Sequence, residues 1–354
     1  MSEADAATDV HLANPLSDSR WDDLVARHPQ ATAFHRSGWL QALARTYGYE
    51  PLVLTSSRAG QDLRDGIVLC RVSSWITGSR LVSLPFADHC QPLLNDLAEY
   101  REFDVRLRAE CERRHCKHVE LRPVWWSEQP GSGLQPSRSY CFHELDLSPS
   151  LVKIFRGMHK DSIQRKIRRA ERERLTYEVG SSDQLVDDFY RLLLITRRRQ
   201  QLLPQPRAWF KNLVCCMVGD AQIRVARKNG IAIAAILTLR HRSSVIYKYG
   251  CSDDKYHSLG SMPFLFWKLI EESKESGAER IDFGRSDLDH QSLIAFKDRF
   301  GARRQLLTYY RYPHAERGTE PAKTWVARAL RHLLPVLPDS VLSTTGRLLY
   351  RHIG

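Results

Sequence analysis

The chain has 354 residues and a mass of 40.9 kDa, enough for about two domains and a sizeable core without disulfide or metal support. Hydrophobic residues make up 42% and charged residues 27%, with a mean hydropathy of −0.42, which excludes a disordered or membrane-embedded chain. The net charge of +12 is uneven: residues 1–150 hold 16 Lys and Arg against 20 Asp and Glu (net −4), and residues 151–354 hold 37 against 21 (net +16).

The first 20 residues are acidic and polar and read as disordered, with no basic or apolar stretch of an export signal. A helical pattern begins near Trp21, with Ser17 or Asp18 as N-cap. A second helix covers Ser37–Thr46, with Trp39, Leu40, Leu43 and Tyr47 on one face. Pro51–Leu54 and Gly66–Cys70 read as strands joined by a polar turn, and Arg80–Leu84 as a third. Asp96–His115 has helical spacing, and Val119–Pro123 and Cys141–Leu147 read as strands. Ile154–Leu175 reads as one long, very basic helix, and Asp183–Gln201 as another. Ile223–Arg227 and Ile231–Arg240 form a hairpin about Asn229-Gly230, followed by a strand at Ser244–Cys251. A loop, Ser252–Ser261, leads to a helix at Met262–Ser276. A strand at Glu279–Phe283, a helix at Ser292–Phe300 and a strand at Gln305–Tyr312 close the pattern. In the tail, Lys323–Leu334 reads as a helix with Trp325 and Leu330 on one side, suited to docking or to membrane-surface contact.

The longest apolar run, Ile231–Leu239, has nine residues, well short of the roughly 20 that span a bilayer. The eight cysteines include no C-x-x-C pair and are expected as reduced thiols in the cytoplasm. Cys111, His115, Cys116 and His118 allow a metal site or a solvated helix end; no second ligand cluster completes a zinc pattern, so no metal is expected. Cys215-Cys216 sits in an apolar run and reads as core. No G-x-x-x-x-G-K-[ST], G-x-S-x-G or H-E-x-x-H occurs, and Asp282-Phe283-Gly284 lacks the accompanying loops of a kinase.

The order hairpin, strand, polar loop, helix, strand from Ile223 onward is that of a GNAT-type acyltransferase. Lys160–Leu175, Tyr247–Ser252, Gly277–Arg285 and Phe296–Gly301 (FKDRFG) resemble the Fem-type and BioF-like acetyltransferase group. The tail looks similar to that of members found with exopolysaccharide and exosortase systems. The resemblance implies an α/β (α+β) fold of two tandem GNAT-like domains, each a mixed, mostly antiparallel sheet flanked by helices. They would cover residues 21–149 and 150–313, with a basic tail at 314–354. It also implies an N-acyltransferase acting on an amine of a cell-envelope or exopolysaccharide precursor. The donor would be acyl-CoA or aminoacyl-tRNA, with no permanently bound cofactor and no DNA partner.

Lys297, within Phe-Lys-x-x-Phe-Gly, is implied by the resemblance to serve the donor and the reacting carbonyl, the alternative being a solvent-facing lysine; Phe296 and Phe300, at i and i+4, pack that helix on the core. Asp282 and Arg285 flank a strand end. Asp282 could orient an amine or take its proton, or form a structural ion pair. Tyr249 and Ser252 end the preceding strand, where either hydroxyl could reach a leaving group or Tyr249 pack in the core, and His290 in the next loop is a candidate base or a solvated histidine. The loop before Met262 occupies the place where GNAT sites hold a pyrophosphate at a helix N-terminus. Lys255 and His257 there bring charge, Gly260 allows close backbone approach, and Ser261 opens the helix. The usual Q/R-x-x-G-x-G/A loop is not cleanly present, which leaves aminoacyl-tRNA open as donor. The basic helix could track tRNA phosphates or be a solvated face. A non-catalytic module that binds an anionic glycan or lipid precursor is the alternative from another class.

Overall fold

A computed structural model describes residues 10–95, 97–124, 126, 133–313 and 338–353. The expected tail helix at 323–334 lies outside them. The chain forms two compact units, one of residues 10–139, 307–313 and 350–353, the other of residues 140–306 and 338–349.

In the first unit, β1 (His11–Ala13) pairs antiparallel with β2 (Glu50–Thr55), so structure begins inside the segment expected to be disordered. Helices α1 (Arg20–Arg27) and α2 (Ser37–Tyr47) bury Trp21, Leu24, Trp39, Leu40 and Leu43, as their spacing requires. Strands β2, β3 (Ile67–Val72) and β4 (Arg80–Val82) are antiparallel neighbours. Helix α3 (Leu97–Arg113) then returns the chain to β5 (Val119–Leu121), which pairs parallel to β4. The core of this sheet is formed by Leu52, Leu69, Leu81, Phe103, Leu107 and Leu121, among others.

The second unit repeats that order. Strand β6 (Gln135–Asp146) enters it, and α4 (Leu151–Gly157), a π-turn (Lys160–Gln164) and α5 (Arg165–Arg172) follow. Next come β7 (Thr176–Gly180), α6 (Asp183–Arg199) and α7 (Arg207–Cys216). Strands β8 (Ala221–Lys228) and β9 (Ile231–His241) meet at Asn229 and Gly230, both at positive φ (51° and 80°), as a tight two-residue hairpin demands. Strand β10 (Ser244–Ser252) lies antiparallel to β9, and α8 (Ser261–Glu275) crosses to β11 (Arg280–Asp287), parallel to β10. Helix α9 (Gln291–Asp298) follows, and β12 (Arg303–Tyr312) pairs with β5 through its first-unit residues. Helix α10 (Asp339–Ile353) ends the described chain. Within the second unit the strand order is β6-β11-β10-β9-β8-β7. One cluster, including Ile167, Ile233, Ile236, Leu265, Leu269, Ile281 and Phe283, joins α5 and α8 to the sheet.

Three local expectations change. The single helix expected over Ile154–Leu175 is broken: the His159 N–H donates to the Arg299 carbonyl at 2.8 Å, and His159 Nδ1 accepts the Ser162 N–H at 3.2 Å, starting a new turn. Cys215 is exposed and Cys216 half-buried, so that pair is not core. Cys111 is buried with its thiol directed at the Cys116 carbonyl (3.3 Å). Among the described residues no group of three or more His, Cys, Asp or Glu is placed to hold a metal ion.

Candidate acyl-donor site

Strands β10 and β11 run parallel, yet their ladder covers only Ser244–Ile246 against Arg280–Asp282. Both strands continue well past it, to Ser252 and Asp287. Each is bent away by an irregularity: β10 shifts register against β9 between Tyr247 and Tyr249, and β11 shifts against β6 between Asp282 and Arg285. A bulge re-aims a strand and ends its pairing. The result is a gap that opens between two strands in the middle of a sheet.

Two side chains hold the β11 bulge. Asp282 is 4% exposed, and its Oδ1 accepts the Gly284 N–H at 2.6 Å. Lys297 is equally buried, and its Nζ donates to the carbonyls of Gly284 (3.0 Å) and Arg285 (3.1 Å). Gly284 sits between them at φ 69°. A buried ammonium needs such acceptors, because leaving it without them is very costly. Helix α9, which carries Lys297, is fixed by rings: Phe266 on α8 meets Phe283, Phe296 and Phe300 at centroid distances of 5.3, 5.6 and 5.0 Å.

Beside the end of β10 lies a cavity of about 280 Å³. Its wall includes Ser261, Met262 and Pro263 at the start of α8, Ser252 at the end of β10, and His257. The remaining wall is Ser162, Ile163 and Lys166 from the π-turn and α5, with Phe296 and Arg299. The floor is therefore partly apolar and the rim cationic, with no carboxylate in the wall. The first-turn N–H groups of an α-helix lack intrahelical partners, and the helix dipole favours an anion there. Pro263 contributes no such N–H. His257 Nε2 shares a 2.9 Å hydrogen bond with Ser252 Oγ and lies 3.5 Å from Arg199 Nη1. Burial, and then the Arg199 charge, lower its pKa below the ordinary 6.5. Ser252 is itself fixed, its N–H donating to Thr196 Oγ1 at 2.9 Å.

The residues singled out in the sequence separate into groups. Asp282 and Lys297 meet at the bulge, and His257 and Ser261 meet in the cavity wall. Lys255 is exposed on the short 3₁₀ turn Asp254–Leu259, with its N–H bonded to Asp253 Oδ1 (3.1 Å), and is not in that wall. Gly260 has φ 78°, and a Cβ there would lie 2.3 Å from the Lys166 carbonyl oxygen, so the close approach is to the backbone of α5. Arg285 lays its guanidinium 4.1 Å from the Tyr140 ring centroid. The Tyr249 hydroxyl accepts from Trp209 Nε1 (3.0 Å), and its ring packs on Phe210 of α7. His290 is exposed at the N-cap of α9. Sequence reasoning missed Arg299 and Ser162 as wall residues. Arg299 stands two residues after Lys297 in the same motif. Lys166 was visible as part of the basic stretch without a reason to prefer it.

Residues 158–292, which carry the splayed strands, match the family model of the acetyltransferase (GNAT) domain. The chain carries a GNAT acyltransferase domain. No curated protein matches the chain. The crystal structure of FemX is similar with a TM-score of 0.67 and 14% identity, covering 85% of this chain and 96% of that one. The C-terminal domain of a putative lysylphosphatidylglycerol synthetase from Agrobacterium fabrum gives a TM-score of 0.57 and 16% identity, covering 94% and 99%. A tandem GNAT protein from the clavulanic acid biosynthesis pathway gives 0.53 and 13%, covering 86% and 98%. At these identities the likeness is one of fold. The fold is accordingly of tandem GNAT architecture, each unit having antiparallel strands, a crossing helix and a parallel strand.

Proposed function

We propose that the second unit holds its acyl donor in the gap between β10 and β11, with the donor's phosphates at the start of α8, and passes the acyl group to an amine. The observation that carries this reading is the three-residue parallel ladder, which opens next to a cavity rimmed by Lys166, Arg299 and a helix N-terminus. In acyl transfer the amine attacks the donor carbonyl, negative charge grows on that oxygen, and the amine loses a proton. Asp282 and Lys297 serve this step by fixing the β11 bulge that keeps the gap open. Asp282, at the last rung of the ladder, is also the carboxylate assigned in this reading to orient the amine.

The acceptor in this reading is an amine on a cell-envelope or exopolysaccharide precursor, met in the cytoplasm at the inner face of the membrane. The resemblance of Gly277–Arg285 and Phe296–Gly301 to Fem-type transferases supports it. No helix among the described residues is long and apolar enough to cross a bilayer.

For the donor, acyl-CoA is the first reading. Aminoacyl-tRNA is the second, and two observations favour it: Gly260 is closed off by the Lys166 carbonyl, and Pro263 removes an N–H from the first turn of α8. Calorimetric titration of the full chain with acetyl-CoA, a long-chain acyl-CoA and a charged tRNA decides between them. Saturable acyl-CoA binding supports the first reading. Binding of tRNA that weakens steeply with salt supports the second. Absence of binding to all three overturns the proposed donor site.

A further inference from the structure

The turn between β3 and β4 in the first unit holds two neighbouring apolar side chains out in solvent: Trp75 is 88% exposed and Ile76 51%. An isolated exposed leucine needs no explanation, but a nearly fully exposed tryptophan next to an exposed isoleucine does. The turn is not loose. Ser74 Oγ accepts the N–H groups of Ile76 (3.1 Å) and Thr77 (2.9 Å), and the Gly78 N–H reaches the Ser74 carbonyl (2.8 Å). Thr77 Oγ1 donates to the His352 carbonyl (3.0 Å), and Arg80 bonds both Thr77 Oγ1 and that same carbonyl. The His352 ring stands edge-on to Trp75 at 5.7 Å and meets Ser74 Oγ at 3.0 Å. A cage of hydrogen bonds therefore fixes a tip whose two outermost side chains are apolar.

We propose that this tip, Trp75-Ile76, inserts into the surface of an anionic lipid bilayer. The shape favours a soft phase: two side chains on a convex turn can sink into a headgroup layer, whereas a protein partner would have to supply a matching hole. Tryptophan suits that depth, since its ring is apolar and its N–H remains able to hydrogen-bond. Charge complements it. Lys117 lies along the same hairpin, its side chain against Gly78 and its N–H on the Ser79 carbonyl, and it is exposed. Arg351, beside His352, is exposed as well. Lys117 stands out because the first 150 residues are net acidic. Basic residues round an apolar tip add attraction to anionic headgroups.

The inference does not depend on the donor site in the second unit. It is tested by sedimenting the full chain with vesicles of phosphatidylglycerol and phosphatidylcholine in equal parts, and with phosphatidylcholine alone, at low salt. Wild type should bind the anionic vesicles more strongly than the neutral ones. The double variant Trp75→Ser/Ile76→Ser should bind the anionic vesicles about tenfold more weakly, with an unchanged thermal midpoint because neither side chain is core. Lys117→Glu/Arg351→Glu should lose binding to the anionic vesicles only. Wild type remaining in the supernatant with anionic vesicles, or the Ser variant sedimenting like wild type, overturns the proposal.

Discussion

Lys297 and Asp282 come out of the sequence as chemistry and out of the structure as a lock. The ammonium satisfies two carbonyls of the β11 bulge, and the carboxylate accepts the Gly284 N–H. Replacing Lys297 with Met leaves both carbonyls short of a donor in a buried place, so the protein should lose about 2–4 kcal/mol in urea unfolding, together with most of its transfer activity. An unchanged unfolding midpoint would contradict the lock. Asp282→Asn keeps an oxygen for the Gly284 N–H. If Asp282 acts by position, the variant should keep kcat within about threefold, because a general base lost outright costs on the order of a hundredfold or more. The motifs were legible because their spacing is distinctive. Their physical partnership was not, because it depends on where a bulge falls in long-range strand pairing. Tyr249 and His290 show the same limit: a hydroxyl at a strand end and a histidine in a loop look alike in sequence whichever face they take.

The elements whose partners are local could be read closely. The amphipathic faces of α1 and α2 and the Asn229-Gly230 hairpin follow from periodicity and turn chemistry. The break before α5 could not, since it is made by a bond from His159 to Arg299, 140 positions away. Helix α5 in turn presses on α8: the Lys166 carbonyl approaches Gly260 so closely that Gly260→Ala must both clash and strain a φ of 78°. That variant should unfold about 2–4 kcal/mol more easily and bind donor less well, as checked by denaturation and calorimetry. Helix α3 carries a separate, pH-dependent contribution. The hydrogen bond from Arg113 leads in lowering the Glu110 pKa to about 2, against burial and with help from Arg114. The unfolded carboxyl titrates near 4.5, so this stabilisation is fully present above that pH and is lost as pH falls from 4.5 towards 2. With Arg113 largely exposed, Glu110→Gln should cost about 1–2 kcal/mol at pH 7 and flatten this acid limb of the stability profile.

On the scale of the whole molecule, the strand order shows why both units are GNAT-like in fold: the same hairpin, helix and parallel strand occur in each. Lys166 and Arg299, from the net-positive residues 151–354, line the cavity at the start of α8. Burial and then the Arg199 charge lower the pKa of His257 in that wall. Donor binding should therefore tighten as pH falls through that lowered value, when the ring gains charge beside the donor phosphate. Titration at several pH values checks the sign, which is opposite to a loss of stability in the same range. The central claim, an anionic acyl donor at the start of α8, is tested most directly by donor titration of wild type and Lys166→Glu/Arg299→Glu. We predict that acyl-CoA or charged tRNA binds the wild type, and that the double variant binds about tenfold or more weakly with its fold intact by circular dichroism. Equal affinity of the two proteins for the donor would contradict the account.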